Sequence, residues 1–105
     1  MNDHAGGLEV DLEHAFRDGV RRCHELGYNP SYFVRMLEEQ GALATARQLI
    51  TATTPSEGFS RLWELGHLEL TVEALVLEPR FAPLFSNGEL RAARRRLDDL
   101  GFSSS

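Results

Sequence analysis

The sequence predicts an all-α fold, a compact single-domain bundle of five or six short helices. Two observations carry that prediction. Apolar residues recur at three- and four-residue spacing along most of the chain. Between those stretches stand helix-start signals. Asn29-Pro30 sets a capping amide before a proline suited to the first helical turn. Thr54-Pro55-Ser56-Glu57 and Ser86-Asn87-Gly88-Glu89 have the form of capping boxes, the second flanked by Phe85 and Leu90 at staple positions. Thr71, with Leu70 before it and Leu75 after, repeats the staple spacing.

Residues 1–9 read as a flexible N-terminal tail, 10–101 as one helical domain and 102–105 as a frayed C-terminus. From Asp11 the stripe Leu12, Phe16, Val20, Cys23 marks a first helix that Gly27 ends, with Glu13–Arg17 and Asp18–Arg22 pairs on its outer face. A second helix starts at Pro30, turns Phe33, Met36 and Leu37 inward and stops at Gly41. A third, over 42–52, uses Leu43, Ala46, Leu49 and Ile50. A fourth begins in the Thr54 box and carries Phe59, Leu62 and Trp63 to Gly66. Leu68, Leu70 and Val72 then alternate with Glu69, Thr71 and Glu73, a strand period. With no partner strand in the chain, 72–78 is read instead as a short helix. Pro79 and Pro83 bracket a tight connection, and the last helix, 87–100, uses Leu90, Ala93, Leu97 and Leu100 before Gly101. The expected core is Phe16, Phe33, Leu37, Leu49, Phe59, Trp63, Leu75 and Leu97.

Hydrophobic residues make up 42% of the chain and charged residues 26%, the balance of a globular protein. No apolar run has the roughly 18 residues of a membrane span. The first residues have no basic and apolar leader pattern. The one cysteine, Cys23, excludes an internal disulfide and a multi-cysteine zinc site. A cytoplasmic setting is therefore expected. All 11 basic residues are arginine, yet the net charge is −5, which gives no general field for nucleic acid.

Tyr-Asn-Pro-Ser-Tyr-Phe at 28–33, Gly-Ala-Leu-Ala-Thr-Ala at 41–46 and Ser-Glu-Gly-Phe-Ser-Arg-Leu-Trp-Glu-Leu at 56–65 form a block. It continues through Leu-Thr-Val-Glu-Ala-Leu-Val-Leu at 70–77 and Leu84-Phe85. This block resembles a small bacterial family of helical modules that occur alone or at the ends of larger proteins. The resemblance implies an accessory module, with defence systems as one setting, and it supplies no catalytic residues.

Candidate chemistry is sparse. Asp11-x-x-His14 and Glu64-x-x-His67 have a spacing used in di-metal bundles, but the further inward carboxylates such a site needs are missing. Glu38 and Glu73 lie off the apolar stripes, so no metal and no cofactor are expected. Cys23 and His24 project about 100° apart on a helix and cannot share a proton easily. No catalytic residue is expected. The helix pair around Gly41 has the proportions of a helix-turn-helix, with Arg47 and Gln48, helped by Thr45 and Thr51, as possible nucleic-acid contacts. In the last helix Arg94–Asp98 and Arg95–Asp99 can pair, whereas Arg91 and Arg96 have no partner along it. The favoured reading is a noncatalytic module that docks a larger protein through Phe81, Arg91, Arg94 and Arg95. Nucleic-acid binding is the alternative. The oligomeric state is left open.

Overall fold

Leu12, Phe16 and Cys23 fall on one side of the first helix and are buried there, as their spacing requires. The computed structural model describes residues 4–100, with side chains from Gly7 onward. In it α1 runs His4–Glu25. It thus begins inside the stretch expected as a tail. No proline interrupts that stretch, and once a turn exists each added residue gains a backbone bond. On its surface Arg17 Nε meets Glu13 at 3.1 Å as expected, but Asp18 pairs with Arg21 and not with Arg22. Gly27, at φ +85°, closes α1 with bonds from Tyr28 N to Cys23 O and from Gly27 N to His24 O. That is a Schellman close, which places a glycine where φ must be positive.

Helix α2 spans Ser31–Thr51 and contains a break at Gly41, at φ 86° and ψ 172°. Only glycine occupies that region readily, so the two helices expected on either side of it follow from this residue. Asn29 does not cap α2. Pro30 stands at the cap position without a side-chain bond, and Asn29 Oδ1 lies 3.2 Å from His24 Nε2 instead. Helix α3, Glu57–Glu64, is capped by Ser56, whose Oγ accepts from Phe59 N at 3.1 Å. Thr54 is thus not the cap. A residue before proline is held extended, which delays the helix until after Pro55.

The alternating segment forms no strand. Leu68–Leu70 is a single 3-10 turn and α4 occupies Val72–Val76. Thr71 joins them, donating from Oγ1 to Leu68 O at 2.7 Å and accepting from Ala74 N at 3.1 Å. A second 3-10 turn, Ala82–Leu84, leads to α5, Asn87–Asp98. The Ser86 box is complete: Ser86 Oγ accepts from Glu89 N at 3.1 Å and Glu89 Oε1 from Ser86 N at 2.8 Å. Gly101 and the frayed end expected at 102–105 lie outside the described residues.

The five α-helices enclose one main core and a smaller annex, and no strand occurs among the described residues. The main core joins Leu12, Phe16, Leu37, Ala46, Ile50, Val76 and Ala93 from α1, α2, α4 and α5. Phe33 meets Phe16 edge-on at 5.4 Å between ring centroids. Phe59, Leu68 and Leu97 make the annex beside α3. The radius of gyration, 13.0 Å, is what about 100 well-packed residues give. Among the described residues no helix is long and apolar enough to cross a membrane.

Candidate partner-binding groove

The arginines of α5 separate into two kinds. Arg96 faces inward, its side chain only 12% exposed, and holds Glu73 at 3.0 Å. Its guanidinium also donates to Leu49 O at 2.9 Å and to Ala52 O, two carbonyls at the end of α2 that no helical turn can satisfy. Glu73 is 2% exposed. Burial pushes its carboxyl above the ordinary glutamate range, and bonds from the backbone and from Arg96 offset that only in part. Expecting Glu73 to lie off the apolar face was an error of register. It shares a face with Val76 and Leu77, at the three- and four-residue spacing that buries Val76.

Arg91, Arg94 and Arg95 are exposed, and none forms an ion pair with a described residue. The pairs expected with Asp98 and Asp99 do not form. Phe81, expected beside them as a docking aromatic, is 0% exposed. Its ring joins the main core, and the Arg80 guanidinium lies over it at 4.3 Å from the ring centroid. The two prolines present no aromatic surface, because Phe85 is buried as well.

Trp63 takes that place. It was expected in the core, yet it is 49% exposed. Helix α3 has only eight residues, and its Phe59 and Leu62 are buried. Trp63 lies on the far edge of the same stripe and faces a groove between α3, the end of α2 and α5. The groove holds about 570 Å³, and Ile50, Pro55, Trp63, Ala92, Arg95 and Leu100 are among the residues that form it. Arg96 and Asp99 also reach it. The structure therefore brings Arg95 together with an aromatic, but the aromatic is Trp63.

The nucleic-acid candidates are already engaged. Arg47 donates to Leu84 O at 3.1 Å and pairs with Glu89 at 3.2 Å, tying α2 to the start of α5. Gln48 accepts from Gln40 Nε2 at 3.0 Å, and Thr51 bonds to Arg47 O. Thr45 is 0% exposed and cannot reach a groove of DNA.

Cys23 is buried and its thiol is pushed up by desolvation, while His24 projects to the surface toward Asn29. The two do not form a nucleophile–base pair. His67 Nδ1 lies 2.8 Å from Glu69, and Glu64 pairs with Arg61 at 3.8 Å. Among the described residues no three metal-ligating side chains converge. No protein-family model, curated protein or solved structure matches the chain.

Proposed function

We propose that this chain is a noncatalytic interaction module that docks an acidic, apolar-anchored segment of a larger protein in the groove beside Trp63. The half-exposed tryptophan carries the reading. Interfaces draw most of their binding energy from a few anchors, with tryptophan and arginine foremost among them. Trp63 and Arg95 border the same groove. Arg91 and Arg94 extend the positive charge along α5, so a carboxylate-bearing segment complements it. An accessory role of the kind that the family resemblance implies, in a cytoplasmic setting, goes with this reading. Nucleic acid has less support, because Arg47 and Gln48 already bond within the protein.

The test is capture from the source organism by the native chain, by Arg91→Glu/Arg95→Glu and by Trp63→Ala. One protein is expected to be retained by the native chain and lost from both variants. Its purified form should shift the emission of Trp63, the single tryptophan of the chain. Capture that survives both changes would sink the proposal. So would submicromolar binding of duplex DNA at physiological salt that disappears with Arg47→Ala/Gln48→Ala.

A further inference from the structure

A second hollow, which shares only Phe59 with the lining of the groove, lies among α1, α2, α3 and α4 and holds about 210 Å³. Its walls are mainly apolar, with the rings of Phe16, Phe33 and Phe59 among them. An apolar cavity of about 150 Å³ is enough to bind benzene, so this one has room for a larger ring system. No arginine or histidine lines it, and its two acids are Glu57 and Glu73. A carboxylate or phosphate would meet those two acids, and the guanidiniums behind the lining are engaged: Arg61, over the Tyr28 ring at 5.7 Å, pairs with Glu64, and Arg96 pairs with Glu73. The Tyr28 hydroxyl makes no hydrogen bond to a described residue and can serve a ligand as donor or acceptor.

Gly19 supplies an independent observation. It sits in the interior of α1, where glycine costs about 0.5–1 kcal/mol relative to alanine. Its backbone gives no reason for that choice. It has no positive φ, and a Cβ built on it meets no other atom within 4 Å. Gly19 also lines the hollow, so the missing side chain keeps one wall open. Gly7, also in α1, is equally open but does not line the hollow, so Gly19 is the α1 glycine at which a larger side chain would be added to its wall.

We infer that this hollow is a binding site for a small neutral aromatic molecule of one or two fused rings, with a polar atom directed at Tyr28. The rings of Phe16, Phe33 and Phe59 offer the edge and face contacts that aromatic ligands favour. The volume suits one or two fused rings.

The test is a two-dimensional NMR titration of the full chain with indole, with benzoate as the anionic counterpart. Indole is expected to saturate with a dissociation constant of about 0.1–1 mM. The amides of Gly19 and Gly58 should shift, and benzoate should leave them in place. Gly19→Leu should weaken indole at least about tenfold while keeping or raising the melting temperature. Trp63→Ala and Arg91→Glu/Arg95→Glu should leave indole binding unchanged, which separates this site from the docking groove. Non-saturating shifts overturn the inference, as do shifts confined to Ser60 and Ala92 in the groove or equal binding of benzoate. Should Gly19→Leu unfold the chain, the map of shifted amides in the native protein decides alone.

Discussion

Arg96 holds three partners that come from three parts of the chain: Glu73 in α4, Leu49 near the end of α2 and Ala52 beyond it. Removing a partner from such a pair leaves a charge in a dry place, at a cost of about 3–5 kcal/mol. Arg96→Ala is expected to lose that much in denaturant melts at neutral pH. Exchanging both residues for apolar ones of similar volume should cost much less. The pH dependence follows from Glu73. Its folded carboxyl titrates higher than the unfolded one, so between those two values the folded state holds a proton that the unfolded chain has released. The associated stability is complete below the unfolded value and disappears as pH rises through the folded one. Glu73→Gln should therefore flatten the fall in stability as pH rises above the ordinary glutamate range, read by melts from acidic to neutral pH. An unaltered profile would show that Glu73 titrates as it does in the unfolded chain. The pair was partly legible. A count along 73–77 places Glu73 on the inward face, whereas Arg96, 23 positions away from it, has no local signal of its partner.

Helix boundaries were legible wherever a single residue imposes the backbone. Gly41 breaks α2 with no gap in hydrogen-bonded turns on either side. Gly41→Ala should cost about 1–3 kcal/mol through strain alone, measured by thermal or chemical unfolding. A neutral result would mean the two halves can realign without the break. The Ser86 box and the Thr71 cap were also readable, because cap, spacing and staple agree there. Thr54 misled because Ser56 offers the same hydroxyl two residues on, and Pro55 decides between them. Asn29 misled because its amide had a competing partner in His24. Trp63 misled for a different reason. Periodicity shows which side of α3 is apolar, but not whether another element covers all of that side. As a half-exposed residue it should cost less than the ~3 kcal/mol of a buried aromatic when changed to alanine.

At the scale of the whole molecule, α1, α2, α4 and α5 share one core, with α3 on its annex. A domain of this size should unfold in one cooperative step, with far-UV dichroism reporting loss of helix throughout. Emission of Trp63 should change only modestly on unfolding, since the ring already meets solvent. Two separated dichroism transitions would show that α3 and its annex melt independently. The fold class was readable because helical periodicity is local. The groove was not, since it depends on how α3, α5 and the end of α2 stand together. The buried pair also has a place in that arrangement. Glu73 faces the smaller hollow and Arg96 the groove, while Phe59 borders both. The partition between the two spaces is thus one ion pair and one phenyl ring thick. Thermodynamic reciprocity holds across such a wall: any arrangement of it that favours an occupant on one side must be favoured by that occupant for the other.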